Sequence, residues 1–422
     1  MIGLLSLILF YQLNISSANE LKETRFLTLD QIEKLVESNN TEVKSARLQS
    51  KAAKVRSGHF LRSLMPKLQG KVGYESFETG PYSTRSQAVW KAEASVNIYR
   101  GGRDVIQSEI FSAQERLAQI SKTGTKLEVR AEAESLYWHH VALNEAMVAY
   151  KKFRKLNESN FKAAKTRINR GVSTETDRIE FEIYRGQVDE SLESYSHEAE
   201  LVRAELAPIL GIDVGFSTTD YVPHDDEDPI LKAENNQLSS KKEEALRLQG
   251  RIEELSADLS QRWWRPTADV YAGQEQFNLR ERTYFSSDYR LDTYVGVRLT
   301  FNFDPFNTGV LAEAQTMEHK AHAKRYQQQL KNLKGRIEKV HGELKHEHDL
   351  IHLSENRIKQ GESYYIKTLD EYRRGVKNSV DVLNATQKYL GFHVEHIERR
   401  RNYQLIRAQL VALLNNKLEG EI

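Results

Sequence analysis

The chain of 422 residues contains no cysteine, only seven prolines and a small share of apolar side chains. The absence of cysteine excludes thiolate metal sites, disulfide scaffolds, a cysteine nucleophile and a lipidated N-terminal cysteine. The hydrophobic fraction is 39%, whereas soluble globular domains usually reach about 45–50%. A row of ordinary globular domains, each with a large core, is therefore a poor description of this sequence.

Long apolar runs and an excess of one charge are also missing. The mean hydropathy is −0.63, and the only uncharged apolar run of any length lies at the N-terminus, which excludes a polytopic helical membrane protein. The 61 Lys and Arg residues nearly balance the 60 Asp and Glu residues. This balance argues against a nucleic-acid-binding protein, which needs a basic surface to neutralise phosphates.

The N-terminal apolar run indicates export. Residues 2–13 are too few to span a bilayer as a helix, and the small residues Ser16, Ser17 and Ala18 follow them. This arrangement predicts a secretory signal peptide over residues 1–18, although the run is preceded by no Lys or Arg. The lack of cysteine is compatible with an oxidising envelope compartment.

The few prolines separate regions that can hold long helices from those that cannot. The runs 82–207 and 306–422 contain no proline and are rich in strong helix formers. Their apolar residues form narrow seams of the coiled-coil kind, and a helix spanning most of such a run reaches about 100 Å. The predicted helices are two long ones, about 104–169 and 307–373, and two shorter ones, about 177–210 and 381–417.

Internal similarity indicates a tandem structural duplication. The motif Arg-Gly-Val followed by an Asp occurs twice at an offset of 204 residues, and segments 206–211 and 410–415 match at the same offset. We therefore divide the mature chain into a first repeat (19–211), a linker (212–237) and a second repeat (238–422).

Each repeat contains a pair of segments in which apolar and polar residues alternate. The pair of the first repeat lies within about 67–99, and that of the second within about 267–303. Period-two alternation predicts strands with one apolar face. By itself it fits a half-buried soluble sheet and a transmembrane barrel equally well, and the long helices favour the barrel. Four strands cannot close a barrel, and lipid does not tolerate an open sheet edge, so several chains must contribute if the strands are inserted in the membrane. The candidate membrane-interface aromatics are Trp90, Tyr74, Tyr294, Phe301 and Phe303.

Short motifs follow one another in a specific order along the whole mature chain. They are Leu27-Thr28-Leu29-Asp30, Leu64-Met65-Pro66, Tyr99-Arg100-Gly101-Gly102-Arg103 after the first strand pair, and Tyr372-Arg373-Arg374-Gly375 before Asp381-Val382-Leu383-Asn384. Each motif is weak, but the ordered set resembles the TolC-like outer-membrane efflux proteins, the outer membrane factors.

The resemblance implies a mainly α fold with a small β part. Long α-helical hairpins would form an α-barrel tunnel, and four β-strands per chain would contribute to a trimeric, 12-stranded transmembrane β-barrel. It implies a passive exit duct for efflux or type I secretion in the outer membrane of a Gram-negative bacterium. Expected partners are two further copies of the chain, outer-membrane lipid, a periplasmic adaptor and an inner-membrane pump or secretion ATPase. Neither an enzymatic activity nor a cofactor nor nucleic acid is expected.

The two hairpin tips differ at positions that the resemblance connects with gating. The first tip has Ile168 and Ser173 where the second has a Tyr and a Lys, and both keep the acid. The gate candidates carried over from the family are Asp177, Tyr372, Lys377, Asp381 and Asn384. Lys377 stands where the family pattern has Arg, so it cannot form a bidentate planar contact. Asn384 stands where the pattern has Asp, so block of the entrance by cations should be weaker.

Simpler roles are available for several tip residues. Asp177 and Asp381 are also suited to helix capping or to the first helical turn, and this role is compatible with gating. The two tip glycines are expected to adopt positive φ. By resemblance, the candidate adaptor-contact residues at the tips are Arg170, Gly171, Val172, Arg374, Gly375 and Val376.

Histidines crowd one of the long helices, but the sequence predicts no metal site there. His348 and His352 have a spacing that can hold a metal, yet no His-Glu-x-x-His pattern is present, and such a cluster is more often a solvated face. The acidic stretch 224–228 lacks the glycine of a calcium loop and is assigned to the linker. The alternative function is a non-transporting periplasmic coiled-coil scaffold whose strand pairs form a soluble sheet.

Overall fold

The computed structural model describes residues 25–78, 84–169, 171, 174–212, 215–219, 221–224, 226–232, 240–277 and 290–415. The predicted signal peptide and part of the linker lie outside these residues. A single π-helical turn, Pro305–Gly309, precedes the second long helix. The elements in chain order are β1 (Arg25–Phe26), α1 (Leu29–Asn39), α2 (Thr41–Ser57), α3 (His59–Ser63), β2 (Lys67–Glu78), β3 (Thr84–Tyr99), α4 (Arg103–Asn169), α5 (Glu175–Leu210), β4 (Phe216–Ser217), α6 (Pro229–Lys232), α7 (Lys241–Gln261), β5 (Thr267–Phe277), β6 (Arg290–Thr300), α8 (Val310–Arg373) and α9 (Ser379–Leu414).

The expected mainly α fold with a small four-stranded part is confirmed. The long helices α4 and α8 lie in the two proline-free runs, since nothing in these runs interrupts the backbone hydrogen bonds. The shorter helices α5 and α9 contain 36 residues each and begin 204 residues apart. None of the described helices has both the length and the apolar character that a membrane crossing requires.

The chain forms two compact units, and each takes segments from both repeats. The helical unit comprises the described parts of 1–44, 124–240 and 336–422, and the sheet unit those of 45–123 and 241–335. The spatial division therefore cuts across the duplication, because α4 and α8 each contribute residues to both units.

The sheet unit contains a four-stranded antiparallel sheet in the order β2-β3-β5-β6. The strand pair of one repeat therefore lies beside that of the other, and β3–β5 pairing joins them. The register sets Val72 opposite Trp90, Val96 opposite Val270, and Ala272 opposite Val295. Residues directly opposite each other share a face, so the alternation in each strand adds up to one apolar face and one polar face.

In the single chain, the apolar face of the sheet is exposed. Leu68 and Val72 are each 84% exposed, and Val295 is 79% exposed. On the polar face, Lys91 lies 3.1 Å from Glu93, and the Tyr294 hydroxyl donates to Glu93 at 3.0 Å. The sheet thus places its charged groups on the side opposite to its exposed aliphatic row.

The helical unit has its main core around a two-stranded parallel ladder of β1 and β4. Ile32 and Val36, one turn apart in α1, pack with Tyr137 of α4 and Phe216 of β4, and all four are buried. The Tyr137 hydroxyl donates to the Leu27 carbonyl oxygen at 3.2 Å. Further along the hairpins the buried apolar residues form small separate clusters.

Candidate gate at the hairpin tips

The two hairpin turns depend on glycine. Gly171 has φ +74° and Gly375 has φ +84°, a left-handed conformation that costs residues with a Cβ atom. After α8, the N–H of Val376 donates to the Glu371 carbonyl at 2.9 Å and that of Gly375 to the Tyr372 carbonyl at 3.0 Å. These are the two hydrogen bonds of a Schellman motif. Of the other predicted tip residues, Arg170 and Val172 lie outside the described residues, as does Ser173.

Both returning helices begin with a capping box. Thr174 is the N-cap residue of α5 and its N–H donates to Asp177, and Asn378 is the N-cap residue of α9 and its N–H donates to Asp381. The N–H of Asn378 donates to Asp381 at 3.2 Å, and that of Asp381 returns to the Asn378 side chain at 2.9 Å. Both acids therefore satisfy backbone donors that a helix start leaves free. The capping role considered for them is observed at both tips.

Asp177 also reaches the second hairpin. The hydroxyl of Ser379, the first residue of α9, lies within hydrogen-bond distance of the carboxylates of Asp177 and Glu180. Ser379 is fully buried, and its single hydroxyl proton can serve only one of the two carboxylates at a time. Sequence reasoning missed Ser379, although the 204-residue offset aligns it with the chemically different Glu175.

Tyr372 is the buried member of the predicted gate. It is 1% exposed and packs in a seam with Phe153, Tyr365 and Val382. The guanidinium carbon of Arg167 lies 4.3 Å from the centroid of the Tyr372 ring, and the guanidinium donates to the Tyr372 carbonyl. Arg167 therefore fixes Tyr372 by a cation–π contact and a hydrogen bond.

The remaining gate candidates lie on the surface of α9 and of the loop before it. Lys377 Nζ lies 4.0 Å from Asp381, and both side chains are more than a third exposed. Asn384 is exposed one turn after Asp381, so the two occupy the same helix face. The structure thus brings Lys377 to Asp381, Asp177 to Ser379, and Tyr372 to Arg167.

The second tip presents charged and apolar groups to its surroundings. Val376 is 71% exposed, and Arg374 forms an exposed ion pair with Asp370 at 3.3 Å. Val380 is also exposed beside them. An exposed apolar residue next to an arginine is a composition that suits a protein contact.

The predicted interface aromatics occupy two different faces. Tyr74 is 75% exposed on the apolar face, where Trp90 is half-buried. Phe301 and Phe303 are exposed just after β6, and Phe303 stacks on Trp263. Tyr294 differs from the expectation, because it lies on the polar face with its hydroxyl bonded to Glu93. Tyr294 and Arg298 are four residues apart in β6, so their side chains lie on the same face of the sheet, whereas Val295 and Val297 lie on the other face.

Among the described residues, one group could hold a metal ion. His224, Asp226, His348 and His352 place one potential ligand atom each within 4.8 Å of all the others. Two of them are histidines that the sequence singled out on the long helix. The other two belong to the inter-repeat segment, more than 120 residues away, and sequence spacing could not connect the two pairs.

Comparisons with known proteins identify the fold. No family profile matches the chain, and no curated protein matches its sequence. Among solved structures, the outer membrane protein VceC of Vibrio cholerae is 13% identical, with 93% of this chain and 97% of VceC covered at a TM-score of 0.78. The outer membrane channel CmeC of Campylobacter jejuni is 13% identical, with coverages of 92% and 85% and a TM-score of 0.76.

The outer membrane channel MtrE of Neisseria gonorrhoeae, described in an open state, is 12% identical to this chain, with coverages of 92% and 89% and a TM-score of 0.72. The similarity therefore extends over nearly the full length of three proteins from different bacteria, at identities too low for sequence matching. The chain has the TolC-like fold of these outer-membrane channels, as the ordered motifs of its sequence indicated.

Proposed function

We propose that the chain is one subunit of a passive outer-membrane exit duct for efflux or type I secretion in a Gram-negative bacterium. The observation that carries the proposal is the four-stranded sheet with one exposed aliphatic face and one charged face. In water, an uncovered row such as Leu68, Val72 and Val295 is unfavourable, because apolar area in contact with water costs about 25 cal/mol per Å². In lipid the same row is stable.

The open edges of the sheet support assembly into a closed ring. Among the described residues, β2 and β6 each pair with another strand on one side only. Unpaired strand edges are not tolerated in a bilayer, so other copies must cover them. Three copies would supply the 12 strands that the family resemblance implies, with the helical hairpins forming the periplasmic tunnel.

The gate proposal rests on the contacts between the two hairpins of one chain. Asp177 and Glu180 of α5 hold Ser379 of α9, and Arg167 of α4 holds Tyr372 of α8. In the assembled duct, these contacts would fix the hairpins in the closed arrangement, and Lys377, Asp381 and Asn384 would line the entrance. The exposed Arg374 and Val376, together with Arg170 and Val172, which lie outside the described residues, would contact the periplasmic adaptor. Transport energy would come from an inner-membrane pump or secretion ATPase, and the duct itself would perform no catalysis.

Single-channel conductance in planar bilayers tests the gate. We expect Asp177→Ala combined with Lys377→Ala to raise the conductance of the closed duct, since the first change removes an acceptor of Ser379 and the second removes the cation beside Asp381. A matched control is Glu355→Ala with Lys359→Ala, which also removes one acid and one base from exposed positions of α8 and should leave conductance unchanged. Equal conductance in the double variant and the wild type would show that these residues do not hold the gate.

Fractionation tests the duct against the periplasmic scaffold. A duct subunit is expected in the outer-membrane fraction, where it should migrate faster on gels before heating than after. Recovery of the chain in the soluble periplasm, without heat-dependent migration, would favour the scaffold. The exposed aliphatic face makes the scaffold the weaker candidate, because a soluble sheet would need a partner to cover it.

A further inference from the structure

The group of His224, Asp226, His348 and His352 lies in the helical unit and is unrelated to the proposed gate. His348 and His352 are one turn apart on α8 and present their rings side by side, with centroids 4.7 Å apart. His224 and Asp226 belong to the segment between β4 and α6. The His224 ring approaches those of His348 and His352 with centroid distances of 5.0 and 5.8 Å.

The donor atoms are already close to metal-binding distances. Asp226 Oδ1 lies 2.9 Å from Nε2 of His224, 3.5 Å from Nε2 of His348 and 3.4 Å from Nε2 of His352. In a tetrahedral zinc site with bonds of about 2.0–2.1 Å, ligand atoms are about 3.3 Å apart. The carboxylate oxygen therefore lies within about 0.4 Å of the required separation from all three nitrogens. Small rotations of the rings would bring the nitrogens, now within 4.8 Å, to the same separation.

The burial of His224 provides an independent indication of a ligand. Its side chain is only 9% exposed, yet neither ring nitrogen makes a hydrogen bond to any described residue, and Nε2 of His348 is in the same situation. The 2.9 Å approach of Asp226 to His224 lacks the angles of a hydrogen bond. Buried polar atoms are satisfied in the large majority of cases, and the exceptions require a reason. A metal ion among these atoms would satisfy them.

A second layer of groups surrounds the four residues. Tyr403 packs against His224 with ring centroids 5.2 Å apart. Its hydroxyl donates to Asp228 at 2.9 Å, and Arg407 donates to the same carboxylate at 2.7 Å. This outer layer holds the inter-repeat segment in place beside α8.

We propose that His224, Asp226, His348 and His352 bind one divalent transition-metal ion, with Zn²⁺ as the best match. Three imidazoles and one carboxylate suit Zn²⁺, Cu²⁺ or Ni²⁺, whereas Ca²⁺ and Mg²⁺ prefer sites made of oxygen ligands alone. Four protein ligands leave no open coordination position, which is typical of structural zinc sites. The ion would fasten the inter-repeat segment to the middle of α8.

Titration of the full-length chain, purified in detergent and stripped of metal, tests this site directly. We expect isothermal calorimetry to show one Zn²⁺ per wild-type chain, and Co²⁺ to give the intense visible bands of a tetrahedral site. His348→Ala with His352→Ala should abolish both signals. The matched control is His346→Ala, which removes an exposed histidine of the same helix outside the group and should bind as the wild type does.

A second variant keeps the test valid if the double variant does not fold. Asp226 is exposed, so Asp226→Asn should leave the fold intact while weakening Zn²⁺ binding at least tenfold. Zn²⁺ should also raise the Tm of the wild type and of His346→Ala, but not that of the double variant. Wild-type binding in Asp226→Asn, or tetrahedral Co²⁺ bands that persist in the double variant, would overturn the proposal. All these readouts are independent of channel conductance.

Discussion

The turn at Gly171 and the turn at Gly375 share the same local sequence features but make different contacts. Each has a glycine with positive φ, followed by a capping box and a helix of 36 residues. Beyond the backbone the tips diverge: Asp177 extends to Ser379 of the other hairpin, whereas Asp381 contacts Lys377 of its own. The residues that determine the turn, including the two capping acids, are thus repeated, whereas the partner of Asp177 in the other hairpin, Ser379, corresponds to the different residue Glu175.

The largest expected effect concerns Tyr372 and its counterpart Ile168. Tyr372→Ala empties a fully buried site and removes the ring beneath Arg167, so we expect a loss of about 3–5 kcal/mol in the free energy of unfolding. Ile168 is only half-buried, and Ile168→Ala should cost clearly less. Denaturant unfolding measures both. Equal losses would mean that the tips are energetically equivalent despite their different side chains.

Ser379 and its counterpart Glu175 give the next largest contrast. Ser379→Ala removes a buried donor and leaves two carboxylates without it, which should cost about 1–3 kcal/mol. Glu175 is exposed and pairs only with Arg178 among its described contacts, so Glu175→Ala should change stability by about 0.5 kcal/mol or less. The same unfolding assay compares them. A neutral Ser379→Ala would contradict the importance of the contact between the hairpins.

The turn glycines should behave alike. In both Gly171→Ala and Gly375→Ala the new methyl group has open space, so the expected cost of about 1–2 kcal/mol comes from the left-handed backbone alone. Gly186→Ala is the matched control, since this glycine also has open space but lies inside α5. It should stabilise the chain by about 0.5–1 kcal/mol. Unequal costs at the two turns would show that one backbone is more strained.

The smallest change in stability at neutral pH is expected when His140, whose counterpart in α8 is Leu344, is replaced by Leu. Burial, and secondarily the charges of Arg203 and His139, lower the pKa of His140 from 6.5 to about 4. The unfolded chain therefore binds this proton more readily than the folded chain, so stability should fall as pH drops from about 6.5 towards about 4. His140→Leu should make this fall shallower.

Unfolding midpoints at pH 7 and pH 4.5 measure that effect. Some acid sensitivity should remain in His140→Leu, because His396 is also buried with its pKa lowered to about 4. An unchanged pH dependence would show that His140 is already accessible to protons in the folded chain.

Local signals made the fold predictable from the sequence. The proline-free runs contained α4 and α8, alternation identified the strands, and glycine marked the turns, because each feature acts within a few residues. The contacts that depend on distant partners were not predictable in this way. Ser379 meets residues some 200 positions away, and His224 meets His348 only after both are placed by the fold. Tyr294 is a different case, because its even spacing from Arg298 along β6 already indicated that it lies on the polar face.

The order of the strands determines how copies of the chain can join. The sheet begins with β2 from the first repeat and ends with β6 from the second, so a contact through the open edges joins two unlike surfaces. Such head-to-tail contacts generate a ring when the rotation between copies closes. All neighbours are antiparallel and the strands number four, so β2 and β6 run in opposite directions. Every junction in a ring would then be antiparallel too, and duplicating a two-stranded unit preserves this property automatically, because it always adds an even number of strands.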